Sequence, residues 1–178
     1  MADYTDNALL ASIKALEKVI LPAVDPADPL AGEQLRLVAG FLKFLRTRLP
    51  HWQLRQVFEL NHYLALAEQL AADARSASDG IFLQLASAIE QAHVVQRQDA
   101  APLADIRAAT AALSAPISAL ARAVATADAP LRKRVEHTIL AGSRRWVDMQ
   151  RTWFAPQGFE LRPGELPPLE SFFHFEQR

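Results

Sequence analysis

The amino-acid sequence predicts an all-α protein, an antiparallel bundle of about six helices followed by an extended, Pro-rich C-terminal tail. Ala and Leu dominate the 178 residues, against only 6 Gly, and this composition favours helices. Apolar side chains recur at spacings of three and four residues, which is the helical period. Prolines, 11 in all, and capping residues lie between the periodic segments, where helices end and begin.

The first two helices are predicted on either side of a Pro-rich connection. The first covers residues 7–21, with Asp6 as its cap and Pro22 as its end. The second follows Asp28, because a capping carboxylate before a proline is a start signal, and runs to about Leu49. Its apolar face is wide, and we expect it to point inward: Leu35, Val38, Phe41, Leu42, Leu45 and Leu49.

The next two helices are predicted between Pro50 and a polar turn that begins at residue 99. Pro50 breaks or kinks the chain, and the third helix continues to about Arg75. Its apolar residues spread over more than one face, which is typical of a central helix or of one with two partners. The fourth helix runs from the turn at residues 76–80 to about Gln98.

The fifth helix, at residues 103–126, is rich in Ala, so its neighbours can approach closely on more than one side. Pro116 is expected to kink it. The sixth helix begins at Asp128 and runs to about Phe154. Gly142 in its middle costs about 1 kcal/mol relative to Ala, so we expect this glycine to mark close packing.

The chain after the sixth helix has a different character, which predicts a domain over residues 1–154 and a tail over residues 155–178. The tail holds four prolines and two glycines and is not expected to be helical. It also carries large apolar groups that a disordered segment would lack: Phe159, Leu161, Leu166, Leu169, Phe172, Phe173 and Phe175. We therefore expect it to dock on its own bundle or on a partner.

Composition excludes several classes of protein. A net charge of −1 argues against a general nucleic-acid binder, and the absence of Cys excludes disulfides and thiolate sites. Neither a Gly-rich phosphate loop nor a Gly-x-Ser-x-Gly or His-Glu-x-x-His motif occurs. The charge-free stretch 108–121 is shorter than the roughly 20 residues of a membrane span, and residues 1–6 do not resemble a signal peptide. We therefore expect a cytoplasmic protein without a membrane span.

Two Glu-x-x-His motifs, Glu59/His62 and Glu90/His93, lie on the third and fourth helices. At this spacing a carboxylate and an imidazole project from one side of a helix, and di-metal bundles use two such motifs with two further glutamates. Helical geometry turns His93 inward but His62 toward polar neighbours. Two interpretations remain open. Either the four residues bind iron or manganese, or the protein has no cofactor, His93 is a half-buried, hydrogen-bonded histidine and the others are solvated.

Basic residues of the sixth helix and its continuation form a candidate anion site: Arg132, Arg144, Arg145 and Arg151. They could bind a phosphate, a CoA-like group or an acidic partner. The alternative is an ordinary solvated face on which arginine stems cover the edge of the core.

Aromatic and sulfur-containing side chains near the end of the sixth helix form a candidate pocket for an apolar ligand: Trp146, Met149, Trp153 and Phe159. The alternative is that they belong to the core and to the socket that receives the tail.

The segment from Leu16 to Ala23, Leu-Glu-Lys-Val-Ile-Leu-Pro-Ala, follows Leu9-Leu10 and precedes the second helix. In this it resembles the opening of certain small, uncharacterised all-α bacterial proteins associated with acyl-CoA dehydrogenases and aminoglycoside-phosphotransferase-like kinases. The resemblance covers the first two helices and includes no catalytic residue. It implies an accessory role in a bacterial cell.

The sequence as a whole predicts a non-catalytic interaction or accessory protein that self-associates, most simply as a homodimer. This expectation rests on surplus apolar surface on the third and fifth helices and on the apolar tail. The alternatives are a ferritin-like di-metal bundle and a binder of a hydrophobic small molecule between helices.

Overall fold

The computed structural model describes residues 4–173, and in this part of the chain every regular element is helical and no strand occurs. The predicted all-α class is confirmed. The α-helices are α1 (Tyr4–Ala15), α2 (Pro29–Arg48), α3 (Trp52–Ala77), α4 (Asp79–Gln96), α5 (Leu103–Ala123) and α6 (Ala129–Phe154).

The α2 and α3 helices form one continuous helical run, because only a 3-10 turn, Leu49–His51, separates them. Pro50 lies at the start of that turn, where a proline is tolerated since the first backbone donors of a helix have no partner within it. In the same way α1 continues into a π-helical turn, Leu16–Ile20, and a 3-10 turn, Leu21–Ala23. Counted as continuous runs, residues 4–173 contain five long helices, so the predicted number of six is corrected to five.

The chain divides into two compact units. The terminal unit comprises residues 4–52 and Arg151–Leu166, and the central unit comprises Gln53–Gln150 and residues 167–173. This division differs from the predicted boundary between residues 154 and 155. The physical reason is that the two halves of the tail have different anchors, one in each unit.

The central unit contains the hydrophobic core, which is formed by apolar side chains of α3, α4, α5 and α6. Its fully buried leucines are Leu70, Leu85, Leu113 and Leu120. A Cβ atom on Gly142 of α6 would lie 3.3 Å from Cδ1 of Leu66 on α3. The close packing that the sequence predicts at Gly142 is therefore confirmed.

Helix α5 is rich in alanine and leucine. Together with the turn that follows it, over Leu103–Thr126, it is long and apolar enough to cross a membrane by length and composition, and 33% of its most apolar window is buried inside the structure. It packs closely against α4 and carries Leu113, Ile117 and Leu120 into the core. Pro116 lies inside the helix without ending it.

The terminal unit is built on the packing of α1 against α2. The carboxylate of Asp28 accepts a hydrogen bond from the backbone N–H of Ala31 at 3.0 Å, so the predicted start of α2 is confirmed. Ile13, Phe44 and Trp153 are buried in this unit, and the ring of Phe44 stacks on Phe154 with the centroids 5.8 Å apart.

The two halves of the tail differ in burial. Leu169 and Phe172 form a buried 3-10 turn in the central unit, and the edge of the Phe172 ring meets Phe58 at 5.9 Å. Phe159 and Leu161, in the terminal unit, project into solvent. The tail is therefore docked at its second half, and the predicted contact of Phe175 lies outside the described residues.

Candidate functional site: an exposed apolar stripe and a half-buried polar cluster

Large apolar side chains of α2 lie exposed along one face of the helix. We call Leu30, Leu37, Val38 and Phe41 the exposed stripe; Leu30 is 65% exposed, Leu37 56% and Phe41 53%. At about 100° per residue the four side chains fall within an arc of about 100°, so they lie on one side of the helix, with the exposed Gln34 between Leu30 and the other three. Exposed apolar surface of this kind marks a contact with another protein or a ligand.

The opposite face of α2 packs within the terminal unit. Ala39 and Gly32 are buried there, where the helix meets α1 and the π-helical turn. Phe44 lies on the same side as the stripe and is buried, with its ring stacked on that of Phe41 at a centroid distance of 6.2 Å. Since Ala39 and Gly32 occupy the side of α2 that packs on α1, the four side chains of the stripe are surplus to that packing.

The two ends of α2 carry opposite charge. The N-terminal end is acidic and the C-terminal end is basic: Asp25, Asp28 and Glu33 at one end, and Lys43, Arg46 and Arg48 at the other. Lys43 pairs with Glu17, and Arg46 with Asp6 at 2.6 Å. Arg48 donates to the carbonyl oxygens of Trp153 and Thr152, at 2.8 and 3.0 Å.

A half-buried polar cluster lies near the start of α3, in the central unit. Nε of Arg107 on α5 donates to Oε1 of Gln56 at 3.2 Å, and Nε2 of Gln56 donates to Oε2 of Glu59 at 3.5 Å. Arg55 donates to Oε1 of Gln150 on α6 at 3.2 Å. These hydrogen bonds join α3 to α5 and α6, so the geometry favours a structural role for the cluster.

The ionisable groups of this cluster are perturbed by their burial. Burial raises the pKa of Glu59, and the positive charges of Arg55 and Arg107 oppose that change. Burial also lowers the pKa of Arg55, although the negative charge of Glu59 favours the protonated guanidinium. The pKa of Tyr63 is raised by burial and, to a smaller extent, by the charge of Glu59. Such groups are common at functional sites, but structural networks produce the same shifts.

An aromatic stack lies beside the polar cluster. The imidazole of His62 stacks on Trp146, with ring centroids 5.2 Å apart, and on Phe58 at 6.5 Å. The Tyr63 ring meets His62 edge-on at 5.3 Å. Burial in this stack lowers the pKa of His62, so the neutral imidazole is favoured.

The four residues of the candidate metal site contact different partners. His62 lies in the aromatic stack, and Glu59 belongs to the polar cluster. Nε2 of His93 lies 2.9 Å from Oε1 of Glu68, while Glu90 is exposed. Between residues 4 and 173 no three His, Asp or Glu side chains are grouped so that they could hold a metal ion. The geometry of His93 matches the second interpretation of the sequence, a half-buried histidine with a hydrogen-bonding partner.

The candidate pocket residues have very different exposures. Met149 and Trp153 are fully buried, and Trp146 is half-buried in the aromatic stack. Phe159 is 83% exposed. Two of the four are therefore core residues, and Phe159 does not share their environment.

The four arginines of the candidate anion site are also separated by their contacts. Arg151 pairs with both carboxylate oxygens of Glu160, at 2.9 and 3.0 Å, and Arg132 lies 3.9 Å from Glu136. The guanidinium of Arg145 lies over the ring of Phe58, 5.8 Å from its centroid. Arg144 and Arg145 line an open cavity of about 380 Å³ beside the buried tail residue Phe172.

The sequence predicts Val38 and Phe41 on the inward face of the second helix, so it does not indicate the exposed stripe. It predicts surplus apolar surface on the third and fifth helices instead. In the structure α3 and α5 place most of their large apolar side chains in the core. The available signal was the width of the apolar face of α2, which exceeds what one neighbouring helix can cover.

A comparison of the chain with protein-family models, with curated proteins and with solved structures finds no match. Any conclusion about function therefore depends on the geometry described above.

Proposed function

We propose that this chain is a non-catalytic interaction protein that self-associates through the exposed stripe of α2. The observation that carries the proposal is the exposure of Leu30, Leu37, Val38 and Phe41 on one side of α2. Burying such side chains in a contact is favourable by about 25 cal/mol per Å² of apolar surface.

A second copy of the chain fits this surface because of the charges at the two ends of α2. In a two-fold arrangement the helices of the two copies would run antiparallel. The acidic end, with Asp25, Asp28 and Glu33, would then lie beside the end of the other copy that carries Arg48, since Lys43 and Arg46 are already paired within their own chain. Antiparallel helices also place opposite ends of their macrodipoles together.

The size of the surface predicts a weak dimer. A helix of 20 residues, such as α2, is about 30 Å long, and a pair of such helices buries less than a standard protein interface. We therefore expect association that depends on protein concentration, not a permanent dimer.

Sedimentation velocity tests the proposal with the double variant Leu37→Ser/Phe41→Ser. The wild-type chain is expected to shift from monomer toward dimer between about 1 and about 200 μM, since a small interface gives a concentration-dependent equilibrium. The double variant is expected to stay monomeric over the same range, because the centre of the stripe has become polar.

The matched control is Leu83→Ser/Val94→Ser, which changes two exposed apolar residues on one side of α4. This variant is expected to associate like the wild type. A wild-type chain that is monomeric at the highest concentration contradicts self-association. Dimerisation that the α4 variant abolishes and the α2 variant preserves contradicts the assignment of the surface.

The same proposal includes a cytoplasmic location in a bacterial cell. It is supported by the resemblance of the segment from Leu16 to Ala23 to the opening of small bacterial proteins. The packing of α5 into the core is consistent with a soluble protein.

A further inference from the structure

A groove in the terminal unit lies between the π-helical turn and the middle of α2. It has a volume of about 260 Å³ and is lined by Leu16, Glu17, Leu21, Leu35, Arg36, Ala39, Gly40 and Lys43. A second cavity, of about 430 Å³, continues from it toward the Pro-rich connection and shares Leu21 and Arg36 with it. The lining therefore combines apolar side chains with three charged ones, Glu17, Arg36 and Lys43.

The π-helical turn forms one wall of this groove. The backbone N–H of Leu21 donates to the carbonyl of Leu16, five residues earlier, so the helix is wider here than a regular α-helix. Leu16, Glu17 and Leu21 all line the groove. Single π-helical turns are rare and often lie at functional sites.

Gly40 also lines the groove and leaves open space there. It lies in the middle of α2, where a glycine lowers helix stability relative to alanine. A Cβ atom at this position would meet no atom within 4 Å, so packing in the structure does not require glycine. A ligand bound in the groove would explain the glycine, because a larger residue at this position would occupy the space that the ligand needs.

The charged side chains that line the groove determine which type of ligand it can bind. Lys43 and Glu17 neutralise each other in an ion pair. Arg36 makes no ion pair with any residue of the described part, 4–173, and it borders both cavities. A guanidinium in this position matches the bidentate geometry of a carboxylate.

We propose that this groove binds a small organic acid, a monocarboxylate with a short alkyl or aromatic body. The carboxylate pairs with Arg36, and the body lies on Leu16, Leu35 and Ala39 beside Gly40. The volume is close to the lower end of ligand pockets, about 300 to 1,000 Å³, so a compact ligand fits it. The inference goes beyond self-association, since Arg36 and Gly40 are not part of the exposed stripe.

Isothermal titration calorimetry with octanoate and benzoate as probes tests the proposal on the full chain. Wild-type protein is expected to bind at least one of the two in a saturable manner, and octanol is expected to bind much more weakly. Arg36→Gln is expected to weaken binding about tenfold or more, which is the usual effect of losing a charged hydrogen-bonding partner. Arg122→Gln, an exposed arginine of α5, is the matched control and should bind like the wild type.

Gly40→Leu tests the space in the groove. It is expected to abolish binding. Its circular dichroism spectrum should match that of the wild type and its melting temperature should be at least as high, because leucine favours the helix.

If Gly40→Leu does not fold, Arg36→Gln alone tests whether the charge of Arg36 is needed for binding. The proposal is overturned if the wild type shows no saturable binding. It is also overturned if Arg36→Gln and Gly40→Leu both fold and both still bind the probe. If octanol binds as tightly as octanoate, the ligand is not selected as an acid. The stripe variant Leu37→Ser/Phe41→Ser should bind the acid normally, so failure of one proposal does not imply failure of the other.

Discussion

His62 shows how a single residue on α3 acquires a role that its spacing in the sequence does not reveal. Its ring lies between Phe58 and Trp146, with Tyr63 at its edge. Burial among these rings lowers the pKa of His62 from the value of 6.5 for a free imidazole. A charged imidazole would lose solvation there, so the folded protein holds His62 neutral.

This burial makes the free energy of unfolding depend on pH. Above pH 6.5 His62 is neutral in both the folded and the unfolded chain, and its full contribution is present. As the pH falls from 6.5 toward the lowered pKa of the folded state, the unfolded chain binds a proton that the folded chain does not, so stability decreases. We expect the urea midpoint of the wild type to fall between about pH 8 and about pH 5.5.

The matched variant is His62→Phe, which keeps an aromatic ring in the stack and removes the titration. Its urea midpoint is expected to fall less over the same pH range. Glu59 changes stability in the opposite direction: its pKa is raised, so its contribution to the free energy of unfolding decreases as the pH rises. Because Glu59 is present in both proteins, its effect cancels in the comparison. Equal pH dependence of the two proteins would show that His62 is not held neutral.

Gly142 and Gly40 illustrate what a residue type alone can predict. Both are mid-helix glycines, and both cost helix stability. The structure separates them, since a Cβ on Gly142 would press on Leu66, whereas a Cβ on Gly40 would enter open space. The first glycine allows close packing between helices, whereas the structure does not require a glycine at the second position.

At the scale of elements, the segment after α6 is held by an ion pair and not by a core. Both side-chain contacts of Arg151 with Glu160 are close, and the backbone N–H of Arg162 donates to the same carboxylate at 3.0 Å. The hydrogen bonds from Arg151 and from the backbone of Arg162 lower the pKa of Glu160 to about 2. The neighbouring side chains Phe159 and Leu161 contribute little, because they are exposed.

We expect Glu160→Gln to loosen this segment. Chymotrypsin should cleave the variant severalfold faster than the wild type at Phe159 and Leu161, since local opening exposes the backbone to the protease. The contribution of Glu160 is present above pH 4.5 and is lost as the pH falls through about 2, because the carboxylate must then be protonated. Hydrogen exchange of the segment should accordingly lose protection on acidification in the wild type but not in the variant, after correction for the intrinsic rate.

The matched control is Glu165→Gln, which removes a more distant and exposed contact with Arg162 at 3.4 Å. Its cleavage rate is expected to equal that of the wild type. Similar cleavage of the wild type and Glu160→Gln would mean that the ion pair does not hold the segment.

The boundary between α2 and α3 was open at the level of the sequence, because Pro50 can either break a helix or begin a turn of one. The structure places it in a 3-10 turn between two helices, so the helical run continues. Two segments that the sequence separates are in this way one element of the chain. Pro50 does mark the boundary between the two helices. Because it lies near the start of the 3-10 turn, it does not interrupt the helical run.

At the scale of the whole molecule, burial is distributed unevenly between the two units. The hydrophobic core cluster extends from Leu60 to Val135 and lies entirely in the central unit. The terminal unit buries few large side chains, among them Ile13, Phe44 and Trp153. Local stability follows buried apolar contact, so the two units should open with different free energies.

Hydrogen exchange measured by mass spectrometry tests this difference. Peptides from α3, α4 and α5 are expected to exchange more slowly than those from α1 and the first half of α2, by at least about tenfold. The exchange should be measured at low micromolar protein concentration, where the proposed dimer is dissociated and does not slow the exchange of α2. Equal protection of both units would show that the chain unfolds as one cooperative body.

The sequence by itself determined the all-α class, the start of α2 at Asp28, the close packing at Gly142 and most of the core positions of α3 to α6. These features depend on local capping and on the helical period, which can be read from neighbouring residues. Only the tertiary structure decided which apolar face of α2 is left exposed, that His93 meets Glu68 while His62 joins an aromatic stack, and that a groove remains beside Gly40. The physical reason is that exposure, pairing and empty space depend on which helices come together, and residues far apart in the chain determine that.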